Sequence, residues 1–347
     1  MKKTIVTVFA IFALLLTACG GSGGESEGSS DEKIKLKVAT HTNEEHYSYL
    51  EGIKPWMDRV TELTDGQVEF EFYPNEQIGK AADSYKMVKN KTIDISYIVY
   101  AQDQMPLTDM PMLPAVYETA AQGTNAFWDV ASNDGIMLEK VFLPNGIRPV
   151  FTFAVSPYTF GTTDKKIETM EDIKGLKLRT SGGLLDLALD ELGGSPVSIG
   201  MTDTRQALET NTVEGIMTSW LSVTPYQLEK PINHIIKNAP LNGWAAYFAI
   251  NEDKYQDLPE NVQEAMATAS EETVDNLANI IDKEEEDEMK YFEEQGIELY
   301  EISEDEVKRW KDQLEPITEK WVTNLEDKGE PAREIYDAFV KAVEENK

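Results

Sequence analysis

Chemistry has few places to start in this chain, which carries three histidines, His41, His46 and His234, and one cysteine, Cys19. Neither His41 nor His46 falls in an H-E-x-x-H or related spacing and no cysteine can join them, so the donor set of a zinc site is missing. Gly20-Gly21-Ser22-Gly23-Gly24 satisfies the G-x-S-x-G pattern of a nucleophile elbow. That pattern needs a strand before it and a helix after it to strain and expose the serine, and this one sits in a Gly/Ser tract with neither. The chain contains no Walker A loop and no dinucleotide fingerprint, so no cofactor is expected and recognition, not turnover, is the default. Arg179 is the informative residue. It ends a predicted strand over 176–179 and is followed by Thr180-Ser181-Gly182-Gly183 and then a helix, the place where open α/β sheets present ligand-binding groups. A guanidinium there can grip a carboxylate through two parallel charge-assisted hydrogen bonds. A helix opening near Gly183 would add unpaired backbone N–H groups and a favourable dipole. On local sequence, an ordinary surface arginine paired with one of many acids is an equal reading.

Such a residue must be positioned by the elements around it. Ile34, Leu36 and Val38 alternate with Lys35 and Lys37, a period-two strand; a helical pattern follows over 44–64 with Pro55 as a local irregularity, stopped by Thr64-Asp65-Gly66. Val68, Phe70 and Phe72 then alternate again, giving a strand-helix-strand unit for which a right-handed crossover and parallel pairing are expected. The alternation continues with a helix near 80–90, a strand over 92–99, a Pro/Met-rich loop over 105–114, a helix over 116–140 and a long strand over 147–155. Past Ser156-Pro157 the same grammar restarts: strand 176–179, helix 184–192, strand 196–199, helix 203–210, strand 213–218. After Trp244 a strand over 245–250 is expected to cross back, and the rest reads as long charged amphipathic helices over roughly 259–295, 304–326 and 331–346, a brace across both halves.

The ends and the composition set the compartment. Lys2 and Lys3 precede an apolar run from Ile5 to Leu16, too short to span a bilayer comfortably, so residues 1–18 read as a signal peptide. Leu16-Thr17-Ala18-Cys19 resembles a bacterial lipobox, which makes Cys19 the expected lipid-bearing N-terminus and residues 19–33 a flexible tether of Gly, Ser and acids. A lone cysteine excludes an internal disulfide framework. With 32 Lys+Arg against 63 Asp+Glu the formal charge is −31, and losing Lys2 and Lys3 takes it to −33. A nucleic-acid partner is excluded on that balance, since phosphates would be repelled instead of releasing counterions.

Three stretches carry a family resemblance. Thr64-Asp65-Gly66-Gln67-Val68 runs into Phe72-Tyr73-Pro74-Asn75-Glu76-Gln77-Ile78-Gly79; Met170-Glu171-Asp172-Ile173-Lys174-Gly175-Leu176-Lys177-Leu178-Arg179 precedes the loop described above; and Ala207-Leu208-Glu209-Thr210-Asn211-Thr212-Val213-Glu214-Gly215 forms the third. Together they resemble the extracytoplasmic solute receptors of TRAP transporters, the DctP-like family, over essentially the whole mature domain. The resemblance implies a type II-like, two-lobed periplasmic-binding-protein fold, no enzymatic activity, a small organic acid as ligand and separate TRAP membrane subunits as partners. It also implies that Arg179 binds the ligand carboxylate. The departure lies after Glu214-Gly215, where family members with polar ligands carry a polar stretch and this chain has Ile216-Met217-Thr218-Ser219-Trp220. A monocarboxylate with an apolar or aromatic body fits that change. The remaining candidate ligand residues are Thr218, Trp220, Met201, Tyr158, Tyr97, Thr42 and His41, with Tyr100 and Phe160 in nearby loops; each aromatic has a competing role in the core.

The expected architecture is α/β: residues 34–156 with about 245–284 as one lobe, and 157–244 with about 285–347 as the other lobe plus bracing helices. The protein would be held at the outer face of the cell membrane by its lipid. A ligand-sensing lipoprotein serving a membrane kinase, a receptor for another importer class and an extracellular enzyme are the rival functions.

Overall fold

The computed structural model describes residues 33–99 and 101–347, so the expected signal peptide, Cys19, the expected tether before Lys33 and Tyr100 lie outside the described residues. Strand β1 (Ile34–Ala39) buries Leu36 and Val38 while its lysines stay out, as the alternation requires. The chain then makes a wide π-helical turn over Ser48–Ile53 before tightening into α1 (Lys54–Leu63). The expected helix over 44–64 thus starts late and changes pitch. Pro55 has no N–H to give to the preceding turn, and a π turn absorbs the missing bond. Strand β2 (Val68–Tyr73), α2 (Ser84–Lys89) and β3 (Ile95–Ile98) follow. Beyond them, tight 3-10 turns over Pro106–Met112 occupy the Pro/Met-rich segment.

Helix α3 (Ala120–Ala131) is shorter than the expected 116–140. Thr119 caps its start by accepting the Gln122 N–H at 3.2 Å, and Asn133, at φ +47°, turns the chain away before a separate turn over Leu138–Phe142. Strand β4 (Ile147–Val155) then leads into β5 (Thr159–Thr162), α4 (Met170–Ile173), β6 (Lys177–Thr180), α5 (Leu184–Glu191), β7 (Ser195–Ser198), α6 (Met201–Glu209), β8 (Gly215–Thr218) and β9 (His234–Ile236). The remainder is β10 (Trp244–Asn251), α7 (Glu252–Gln256), α8 (Glu260–Glu294), β11 (Glu298–Tyr300), α9 (Glu304–Glu326) and α10 (Ala332–Glu345).

These strands form two sheets, β2-β1-β3-β10-β4 and β11-β9-β5-β8-β6-β7. Within them β1, β2 and β3 run parallel, as do β6, β7 and β8, which gives each half its βαβ character. Strand β10 returns antiparallel between β3 and β4, so the first sheet recovers a strand from late in the sequence. The chain passes from one sheet to the other between Val155 and Thr159 and back between Ile236 and Trp244.

Helix α8 has 35 residues, about 50 Å at the usual rise, and it packs on α1, α3 and β4 beside the first sheet and on β11 and the Trp220–Ser222 turn beside the second. It is the brace foreseen in the sequence. Helix α9 lies on α5, but α10 packs on α3 as well as on α9, so the last helix belongs beside the first sheet and not with the second lobe. Its face of Ile335, Phe339 and Val343 is buried there.

Candidate ligand-binding site

A cavity of about 780 Å³ of space between atoms, partly open to solvent, lies among the segments that leave the parallel strands. His41 and Thr42 follow β1, Val99 follows β3, and Ser181, Gly182 and Gly183 follow β6, so both sheets aim their C-terminal ends at it. Arg179 lines it and is itself only 4 % exposed. Its Nε donates to the Ile199 carbonyl at 2.8 Å, which fixes the plane of the guanidinium before any ligand arrives.

The segment after Arg179 is built to stay open. Gly183 adopts φ +63° and ψ −129°, a region closed to side chains, and so the backbone at the start of α5 stands bare against the cavity. Asp186 then ties α5 down, accepting the Thr180 hydroxyl and the Ser198 hydroxyl, the latter at 2.7 Å.

The walls are aromatic. Tyr97 stacks on Phe248 with centroids 4.8 Å apart and carries the His41 ring 4.7 Å away; Tyr158 lies near-parallel to Trp244 at 6.5 Å; Tyr47 and Tyr226 complete the set. Met112, Met201, Leu184 and Val99 add apolar surface. The histidines contribute no positive charge, because burial pulls His41 down to about 4 and His46 to about 3. Nδ1 of His46 accepts the Ser48 N–H at 3.2 Å and lies 2.8 Å from the Ser48 hydroxyl, an arrangement that leaves Nε2 carrying the proton. Hydroxyls of Ser48, Thr42 and Thr40 continue the chain, with 2.8 Å between the two threonines. Asp109 brings the opposite chemistry: it lines the cavity from the Pro106–Met112 turn, and burial pushes its carboxyl up to about 7.

Of the residues singled out in the sequence, Arg179, Met201, Tyr158, Tyr97, Thr42 and His41 come together around this cavity. Thr218, Trp220 and Phe160 do not line it. Thr218 is buried in β8, in the middle of its sheet, and donates to the Ser219 carbonyl at 3.2 Å. The Trp220 indole N–H is held by Thr159 Oγ1 at 3.1 Å and its ring meets Phe292 of α8 edge-on, so it is a core residue bonding sheet to brace. Phe160 faces Trp310 of α9. Sequence reasoning missed His46, Tyr47, Gln102, Asp109, Met112, Ser222, Tyr226 and Trp244. Asp109 left a usable signal: it is a single acid inside the apolar run Met105 to Met112.

Two sheets flanked by helices, crossing segments between them and a one-arginine cavity at their facing strand ends define a two-lobed solute receptor of the periplasmic-binding type. The family described as bacterial extracellular solute-binding protein, family 7 (DctP) matches residues 39–324. The chain belongs to this family, the extracytoplasmic solute-binding proteins of TRAP transporters, which are receptors and not enzymes. Its relatives include the C4-dicarboxylate-binding periplasmic protein DctP of Rhodobacter capsulatus, 22% identical over 79% of this chain and 82% of that protein. A TRAP solute-binding protein from Rhodoferax ferrireducens in complex with copurified benzoate superposes with a TM-score of 0.82 at 22% identity, over 90% of this chain and 98% of that one. A marine-metagenome TRAP solute-binding protein specific for aromatic acid ligands, in complex with metahydroxyphenylacetate, also gives 0.82, at 18% identity over 91% of this chain and all (100%) of that one.

Proposed function

We propose that this receptor captures a monocarboxylate with an aromatic or apolar body and hands it to TRAP membrane subunits. The observation that carries the reading is the cavity itself, in which Arg179 is the one Lys or Arg side chain among the described residues, set among the rings of Tyr47, Tyr97, Tyr158, Tyr226 and Trp244. A single pre-oriented guanidinium answers a single carboxylate, and the rings supply the apolar area and edge-to-face contacts that favour a flat hydrophobic body. Benzoate and metahydroxyphenylacetate, held by two structures of the same fold, are acids of this kind.

Binding then works by population shift. The lobe built on the first sheet and the lobe built on the second close over the acid, water leaves, and the arginine contact strengthens as the local dielectric falls. Delivery to membrane subunits and retention at the outer face of the membrane through a lipid on Cys19 complete the reading; the tether after Cys19 gives the receptor reach.

The test is a thermal-shift titration of the purified protein with benzoate, phenylacetate, aliphatic monocarboxylates, dicarboxylates and sugar acids. At a hundredfold excess over Kd a true ligand adds about 2.7 kcal/mol of stability. Stabilisation by aromatic or apolar monocarboxylates alone supports the reading, and a response restricted to dicarboxylates or sugar acids refutes it. Arg179→Ala should remove the benzoate shift, a loss of 100-fold or more in affinity, roughly the 3–5 kcal/mol of a broken buried charge pair.

A further inference from the structure

Asp109 has no role in the anchor reading, yet its placement is costly. It is 8 % exposed in a turn whose Leu107, Met110, Pro111 and Met112 are buried with it. Among the described residues no donor is bonded to its carboxyl, and burial alone accounts for its upward shift. The adjacent Thr108 hydroxyl is spent on the Met105 carbonyl at 2.8 Å, and the buried Tyr247 hydroxyl, near enough to feel the Asp109 charge, makes no hydrogen bond to it. The Asp109 oxygens are not sealed in the protein, and the side chain lines the cavity. It lies beside the bare backbone of Gly183, where a Cβ would fall 3.8 Å from Asp109 Oδ2 and 4.0 Å from Gln102 Nε2.

A desolvated carboxyl without a partner is unfavourable, and native folds leave few of them. We propose that Asp109 is a second recognition point, which accepts a hydrogen bond from a donor on the ligand. The ligand class is then an aromatic or apolar carboxylic acid that also bears a hydroxyl or ammonium donor. This rests on the reading of the cavity as an acid-binding site with Arg179 at the carboxylate. An ionised aspartate only accepts, so a ligand with no donor leaves it unpaired and is selected against, while a donor held in the closed site turns the penalty into a charge-assisted bond.

The experiment is isothermal titration of the whole protein and of Asp109→Asn and Asp109→Leu at pH 8, with benzoate, 3- and 4-hydroxybenzoate, and 3- and 4-(aminomethyl)benzoate. The expected result is a preference of about 10- to 100-fold for at least one donor-bearing acid over benzoate. In Asp109→Leu that preference collapses because benzoate tightens and the substituted acid weakens. Asp109→Asn separates the sources: a hydroxyl preference survives in part, since an amide still accepts, whereas an ammonium preference disappears with the charge. Equal affinities for benzoate and all four substituted acids, or a uniform loss for every acid in both variants, would overturn the proposal and leave the acid receptor standing. If no acid of the panel binds the unmodified protein, the acid-receptor reading fails and this proposal falls with it.

Discussion

At the scale of single residues, the cavity combines one held cation, two silenced histidines and one exposed-to-ligand carboxyl. The sign of each titration follows from its burial. His41 and His46 have folded values near 4 and 3, below the unfolded value of 6.5, so the folded protein binds fewer protons in that interval. Stability is therefore full above about 6.5 and is lost as pH falls toward 4. His46→Gln should flatten that acid-side loss in thermal melts recorded from pH 7 to pH 4. Asp109 acts oppositely. Its value near 7 lies above the unfolded range, so the folded state holds an extra proton between about pH 4 and pH 7, and stability falls as pH rises through that window. Asp109→Asn removes the fall, and without ligand it should melt higher than the unmodified protein at pH 8 and nearly level with it at pH 4. These groups share the cavity with the Arg179 guanidinium.

At the scale of elements, α8 holds the segments where the chain leaves strands of both sheets. Asp282 accepts the Ala120 and Ala121 N–H groups at 2.8 and 3.0 Å, capping α3, and also takes the Ser156 hydroxyl at 3.1 Å, in the first crossing between the sheets. One turn further, the buried Glu285 accepts from the Ser219 hydroxyl at 3.3 Å, just past β8. The long helix thus grips the exit of a strand in each sheet. Asp282→Ala should cost about 1–2 kcal/mol through the lost cap and crossing bond, read as a lower denaturation midpoint at unchanged slope. The second sheet is less forgiving. A Cβ on Gly215 would stand 2.3 Å from the Gly161 carbonyl oxygen, a backbone atom that cannot step aside. Gly215→Ala should destabilise the fold by roughly 1–3 kcal/mol, more than the same change at a surface turn.

For the whole molecule, repulsion outweighs the pairs that oppose it. The described ion pairs are mostly exposed, such as Lys54 with Asp58 and Lys341 with Glu345, and pairs of that kind contribute well under 1 kcal/mol each. Against them stands a formal charge of −31 on one chain. Salt shortens the reach of that field to about 10 Å at 0.1 M, so screening should help the fold more than it weakens the pairs. The melting temperature is expected to rise between 10 mM and 500 mM sodium chloride; a fall would mean that the ion pairs dominate.

The sequence by itself determined the elements whose signal is local: the alternating β1 and β2, the long apolar β4, the long amphipathic α8 and α9, and Arg179 at the end of a strand with glycines behind it. Strands β5, β9 and β11 escaped because they are three or four residues long and take their identity from neighbours; β5 is buried throughout and shows no alternation. The site divided in the same way. His41 and Thr42 come just after β1, Arg179 stands near the end of β6, and all three were legible from the chain. Asp109, His46, Tyr226 and Trp244 reach the cavity only when distant segments fold together. Thr218 and Trp220 were drawn into the core because β8 is an interior strand and its last residues turn toward α8. Period and strand ends are written residue by residue, whereas which face looks into a cavity depends on which strand becomes central and which helix lies across it, and that is fixed only by packing.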